Sequence, residues 1–281
     1  MNAGSLAYSR LAGSRRVRGW TSVSIGVDGD FRKQQERATY DREANRERPA
    51  FASLWDRALY REMLEHRLAP NVESWSREYL TGRKVLILGA GNADVLHVER
   101  FTRDIVAINL SAHAVQGLRQ EFPNYRCDVA DAENLTTTER YGAIYCHSIL
   151  HHLHPIDRVL DNLSQLLNPG GVLFIAAEPG LYNPPAALAR RIAPSQSHTP
   201  GERAFVFSRL QATLSLRFFR LEAGYYFLGS MLWPYLARRV PRLRAVLRQA
   251  MRASLAIEAR LVRLPALADW HWMFAGVYQR R

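Results

Sequence analysis

Four imidazoles stand close together in HSILHHLH, as His147, His151, His152 and His154. Residues three and four apart share one face of a helix, a spacing that can hold a metal ion. No cysteine or carboxylate at ligand spacing completes the set, so no metal is expected. A second stretch with chemical potential is Lys84 to Asp94, KVLILGAGNAD, in which Gly89 and Gly91 supply backbone without Cβ. Such a turn lets a ligand lie against the main chain. It is shared by dinucleotide enzymes, by nucleoside-cofactor enzymes and by ordinary strand-to-helix turns.

The elements that must carry these groups follow from periodicity. Val85 to Leu88 has the length and branching of a strand buried on both faces. Asp104 to Leu110 reads as a second strand, with Ser111 capping a helix from His113 to Phe122. Tyr125 to Val129 and Tyr141 to Cys146 are a third and a fourth strand, and the helix after them has Ile156, Val159, Leu160, Leu163 and Leu167 on its apolar face. Asn168-Pro169-Gly170-Gly171 is a helix stop and turn before a fifth strand, Val172 to Ala176. Buried strands alternating with helices imply an α/β fold, a doubly wound and mostly parallel sheet with right-handed crossovers. Ligands in such sheets bind beyond the carboxyl ends of the strands, where Gly89, Asn109, Asp131, His147 and Glu178 emerge.

Upstream, residues 1 to 30 are basic and aperiodic and are expected to be a disordered tail. Residues 31 to 82 form a helical cap, with a charged helix from Phe31 to Arg48 containing Tyr40 that could close over a site. An amphipathic helix from Ser53 to Leu68 ends at Pro70, and Asn71 caps a shorter one reaching Tyr79. Cys127 and Cys146 show no ligand spacing, which suits a reduced, cytoplasmic protein. The chain of 281 residues carries a net charge of +12, and every basic residue except Lys33 and Lys84 is an arginine. That balance fits either an anionic partner or a bias toward arginine codons.

From about Arg83 to Pro179 the chain resembles a class I S-adenosylmethionine-dependent methyltransferase of the small-molecule type. The resemblance rests on VLILGAG (85–91), AINLS (107–111), DAENL (131–135), HSILHHL (147–153) and LLNPGGVLFIAAEP (166–179). It implies a seven-stranded Rossmann-like methyltransferase fold over residues 83 to 281 and S-adenosyl-L-methionine as cofactor. Gly89, Ala90 and Gly91 would then pass under the methionine part, and Asn109 would face the ribose. Leu110 would pack on the adenine, Asp131 with Ala132 would approach its edge, and His147 would lie beside the sulfonium. His151 and Glu178 are the expected bases, and oxygen is the expected acceptor atom. The chain departs from the family pattern at Ile87 and Asn109, where acids are usual, and at Gly142 and Ala93. Those departures leave open a noncatalytic member of the fold that binds a partner, while a dinucleotide oxidoreductase would have Asp94 where a small residue should pack.

Asn183-Pro184-Pro185 is similar to the Asn-Pro-Pro-aromatic motif of DNA amino-methylating enzymes, but it follows the fifth strand and ends in Ala186, so a nucleic acid is not the expected acceptor. Thr199-Pro200-x-Glu202 reads as a capping box. Phe218 to Leu228 and Trp270 to Tyr278 resemble sixth and seventh strands of a hairpin. Between them, about Gly229 to Leu267, lies a helical insertion in which Arg238, Arg239, Arg242, Arg244, Arg248, Arg252, Arg260 and Arg263 face a single acid, Glu258. Arg244, Arg248 and Arg252 form a stripe that suggests a lid or a peripheral membrane contact serving a lipid-linked or amphiphilic acceptor, or else a solvated face or dimer contact.

Overall fold

The computed structural model describes residues 33–38, 41, 55–192, 202–262 and 264–281. The basic tail, Tyr40, the Thr199-Pro200 start of the capping box and Arg263 lie outside the described residues.

Apolar runs bounded by glycine, asparagine and proline give seven strands: β1 (Val85–Leu88), β2 (Ile105–Asn109), β3 (Arg126–Val129), β4 (Tyr141–His147), β5 (Leu167–Pro179), β6 (Phe218–Tyr226) and β7 (Met273–Arg280). They form one sheet in the order β3-β2-β1-β4-β5-β7-β6. β3 to β5 run parallel, and β7 lies antiparallel to both β5 and β6, so the expected C-terminal hairpin is present. β1 sits between β2 and β4, each of its residues is buried, and its carboxyl end is therefore fixed at the middle of the sheet. The crossover helices are α2 (Asn92–Val98), α3 (Ala112–Glu121) and α4 (Ile156–Leu166). Ser111 caps α3 by accepting from the Ala114 amide at 3.0 Å. Cys127 on β3 and Cys146 on β4 are separated by β2 and β1, and both are free and buried.

Two expectations change. The helix before β1 is a single one, α1 (Arg57–Tyr79), and it runs through Pro70. A proline inside a helix costs about 3 kcal/mol. Burial of Leu59, Met63 and Leu68 before it and of Val72 and Trp75 after it offsets that, at about 1.5–3 kcal/mol for a fully buried large side chain. Asp56 is the cap, accepting from the Leu59 amide, while Asn71 donates instead to the Tyr226 hydroxyl at 2.7 Å. The Asn168 to Gly171 turn is absorbed into β5 as an irregularity. Tyr141 pairs with Leu167 and Ala143 with Val172, so the residues between are pushed out of the ladder around Gly170, whose φ is +73°.

Between β6 and β7 the insertion folds as α7 (Leu232–Arg239) and α8 (Arg244–Leu261); α5 (Pro184–Ile192) and α6 (Phe207–Ser215) precede β6. α8 packs on α1, and the arginine stripe faces it. Arg244 pairs with Asp56 at 3.0 Å, Arg248 with Glu62 at 3.0 Å, and Arg252 with Glu62 at 2.7 Å. The stripe thus forms an interhelical ladder with Asp56 and Glu62. Among the described residues, no helix is long and apolar enough to cross a membrane.

Candidate active site

The site is assembled where β1, β2, β3 and β4 end. After Leu88 the chain turns at Gly89 with φ +62°, and a Cβ built there would stand 2.7 Å from Ile149 Cδ1. Only glycine allows the turn to pass beneath Ile149. On the neighbouring strand Ser148 also adopts a left-handed φ of 49°, which bends the chain sharply between His147 and Ile149. Gly91 opens α2, and Asp94 in its first turn reaches back to accept from the Gly91 amide at 2.8 Å.

The other oxygen of Asp94 accepts a hydrogen bond from His147 Nδ1 at 2.7 Å. Desolvation lowers the pKa of His147, but the Asp94 hydrogen bond and charge, with the charge of Glu178, outweigh it and the net shift is upward. Sequence reasoning missed Asp94 as a site residue, although Gly91-x-x-Asp94 is a capping spacing that could have marked it.

Asn109 is nine-tenths buried. Its Nδ2 donates to the Ala90 carbonyl at 3.0 Å, and its Oδ1 accepts from the Ser111 amide at 2.9 Å. The carboxamide therefore pins the glycine turn to the end of β2, a task a carboxylate, with no donor, could not perform. Ile87, the other departure, is wholly buried in the core and pairs with Ala107 and Tyr145.

Gly89, Asn109, Leu110, Asp131 and Ala132 line one cavity. Ala90 is buried beneath it, and Gly91 and His147 lie outside it. The short helix over residues 33–38 covers the cavity. Lys33 Nζ stands 2.7 Å from Asp131 Oδ1 and 3.0 Å from Glu133 Oε2. Desolvation would raise the Asp131 pKa, yet the charge and hydrogen bond of Lys33 hold it below its ordinary value. With Lys33 in place the space is about 40 Å³, little more than the ~30 Å³ share of one water. A glycine turn, an apolar side chain in Leu110 and an acceptor carboxylate in Asp131 fit a nucleoside group in kind, once Lys33 withdraws.

A second, wider cleft of 280 Å³ lies on the far side of Asp94, between α1 and the ends of β4 and β5. His97 lines it, donating to or accepting from Ser76 Oγ at 2.9 Å, and its burial lowers its pKa.

His151 and Glu178, the expected bases, meet at 2.8 Å. Glu178 has no exposed surface and also accepts from the amides of Ile149 (3.0 Å), Leu150 (2.8 Å) and His151 (3.3 Å). It holds the turn that carries Ile149 over Gly89. His152 packs against His151 with ring centres 4.2 Å apart and the planes tilted by 41°, and lies 3.9 Å from Glu202. Among the described residues no three metal-ligating side chains gather. Asn183 is a buried clip, donating to the carbonyls of Phe227, Leu228 and Trp270 and capping α5 through the Ala186 amide.

A family model described as a methyltransferase domain matches residues 86–173. No curated protein sequence matches. Among solved structures, magnesium protoporphyrin IX methyltransferase from Synechocystis PCC 6803, with bound S-adenosylhomocysteine, superposes with a TM-score of 0.54 at 11% identity, covering 90% of this chain and 97% of that one. An S-adenosylmethionine-dependent methyltransferase from Mesorhizobium loti gives 0.51 at 16% identity, over 77% and 100%. The N-methyltransferase NodS from Bradyrhizobium japonicum WM9 gives 0.50 at 14%, over 88% and 98%. These likenesses are of fold, and they agree with the strand order and with the matched stretch from β1 into β5. Residues 86–173 thus match a methyltransferase domain, and the sheet that contains them has the fold of these S-adenosylmethionine-dependent methyltransferases.

Proposed function

We propose that the protein transfers the methyl group of S-adenosylmethionine to an oxygen of a small-molecule acceptor. The observation that carries this reading is the cavity at the carboxyl ends of β1 to β3, where Gly89, Leu110, Asp131 and Ala132 come together under a removable cover. In the proposed complex Gly89, Ala90 and Gly91 run beneath the methionine part and Leu110 packs on the adenine. Asp131, released by Lys33, accepts from the exocyclic amine, beside Ala132. Asn109 acts from below, keeping Ala90 in place. Of the two bases expected from the sequence, Glu178 has its oxygens occupied by backbone amides and His151, which supports a positioning role for the pair.

Alignment of acceptor and methyl carbon, together with proton removal, supplies most of the rate in such a transfer. Calorimetry with S-adenosylhomocysteine tests the reading directly. Binding in the micromolar range, weakened at least tenfold by Asp131→Ala, is expected. No heat at millimolar ligand overturns it.

A further inference from the structure

His147 and Asp94 form a pair that the nucleoside cavity does not use. Asp94 divides its oxygens between two tasks, one on the Gly91 amide at 2.8 Å and the other on His147 Nδ1 at 2.7 Å. A carboxylate accepts, so Nδ1 carries the proton and Nε2 keeps its lone pair. The His147 side chain is 47% exposed while Asp94 is 13% exposed, so the ring is reachable and its anchor is shielded. The imidazole stands one side chain away from the glycine turn, facing the 280 Å³ cleft. The wall opposite is apolar, formed by Leu64, Leu68 and Val72 of α1, with Tyr145 and Ala176 below. The cleft has the volume of roughly nine waters at ~30 Å³ each, enough for one substituted ring.

Resting on the proposed methyl transfer, we infer that this cleft is the acceptor site and that His147 is the catalytic base, positioned by Asp94, for a phenol- or enol-type hydroxyl on a largely apolar body. An already ionised carboxylate needs no base, and an amine reacts through a free lone pair. A weakly acidic hydroxyl on an apolar ring is the class for which an anchored neutral imidazole beside an apolar wall is useful. In the step, His147 Nε2 takes the hydroxyl proton as the acceptor oxygen forms a bond to the methyl carbon. The bond from that carbon to sulfur breaks with its electron pair remaining on sulfur. The sulfonium becomes a neutral thioether, the acceptor a methyl ether, and the positive charge passes to the imidazolium, where Asp94 and, farther off, Glu178 stabilise it. The other titratable groups lining the cleft with this ring are Tyr145 on β4, His97 on α2 and the Glu73–Arg100 pair at the rim, whose opposite charges meet at 2.7 Å.

The test uses 4-methylphenol, whose hydroxyl stays protonated at neutral pH, and S-adenosylmethionine with the full chain, following formation of 4-methylanisole and, separately, S-adenosylhomocysteine binding. The wild type should form the ether, with a rate that falls as acid protonates the base. His147→Asn and His147→Gln should lose at least 100-fold in kcat and the acid limb with it, while binding S-adenosylhomocysteine within about threefold of wild type. Asp94→Asn should move the acid limb to lower pH. Ala69→Trp, which fills the cleft from an exposed position on α1, should raise KM for 4-methylphenol at least tenfold without changing S-adenosylhomocysteine affinity. If the wild type binds S-adenosylhomocysteine but forms no 4-methylanisole, or if both His147 variants keep rate and pH limb, the inference is overturned and the proposed function stands. If S-adenosylhomocysteine does not bind the wild type, both fall.

Discussion

Lys33 Nζ lies 2.7 Å from Asp131 Oδ1, with the two side chains only 5% and 12% exposed. The lysine occupies the carboxylate that the proposed cofactor would use, so the covered and loaded states exclude each other. When a competent state is only a fraction of the population, apparent affinity falls by that fraction. Lys33→Met removes the charge that holds the cover, and S-adenosylhomocysteine should bind at least threefold more tightly. Weaker binding would place Lys33 in the loaded site instead. Removing one partner of a buried pair leaves an uncompensated charge worth about 3–5 kcal/mol, which the helix over 33–38 can avoid by undocking. Trypsin should therefore cut the variant at Arg37 at least tenfold faster.

Asn109 predicts the opposite of a repaired enzyme. Asn109→Asp would restore the acid usual in the family, yet it removes the donor to the Ala90 carbonyl and sets a carboxylate against that oxygen. An unsatisfied buried group costs about 1–3 kcal/mol. At about 2–4 °C per kcal/mol for a domain of this size, thermal melting should drop by several degrees. Protonating the new carboxyl restores a donor, so its folded-state pKa is raised. The lost stability should return as pH falls below that pKa, seen as melting curves of the two proteins converging in acid. A variant as stable as wild type at pH 8, with tighter cofactor binding, would contradict this account.

These particulars explain how far the chain could be read in advance. β1, the glycine turn, Ser111 and the crossovers were legible because hydrophobic period and capping chemistry act within a few residues. The sheet order followed from the family resemblance. Pro70 misled because its local penalty is offset by burial on both sides, which is a tertiary quantity. The arginine stripe misled for a similar reason: its partners, Asp56 and Glu62, lie nearly two hundred residues away in sequence. Glu178 read as a base because sequence gives its type and strand-end position but not the amides that fill its oxygens. Asp94 was passed over because its two roles, cap and histidine anchor, meet only in three dimensions.

Glu139 sets the acid limit of the sheet. It accepts from Arg126 at 2.6 Å and from Lys84 at 2.8 Å, joining the entry to β4 to β3 and to the start of β1. Its hydrogen bond with Arg126 leads the causes that hold its pKa down at about 2, against partial desolvation. A depressed carboxylate stabilises the fold above its unfolded pKa, and that contribution is lost as pH falls toward the folded value. Stability should decline from about pH 4.5 toward pH 2, and Glu139→Gln should flatten this part of the curve while lowering stability at neutral pH. Urea midpoints at pH 7, 4.5 and 3 measure it. Equal acid dependence in the two proteins would remove Glu139 from the explanation.

The ladder between α1 and α8 gives a prediction about salt and about membranes together. Arg244, Arg248 and Arg252 are 41–47% exposed, and their partners Asp56 and Glu62 are each 17% exposed. Pairs this exposed contribute about 0.2–1 kcal/mol each. Replacing all three arginines by glutamine should therefore lower stability by about 0.6–3 kcal/mol, a fall of roughly 1–12 °C in melting temperature. Screening at 1 M salt shortens the Debye length to about 3 Å, so wild type and variant should converge there. Once Arg248 and Arg252 are gone, Glu62→Gln should add almost nothing, because its partners are absent. Sedimentation with anionic vesicles at low salt should be indistinguishable for wild type and variant. Vesicle binding by the wild type that the triple variant loses, with no change in melting, would show that these arginines leave Asp56 and Glu62 for an anionic surface.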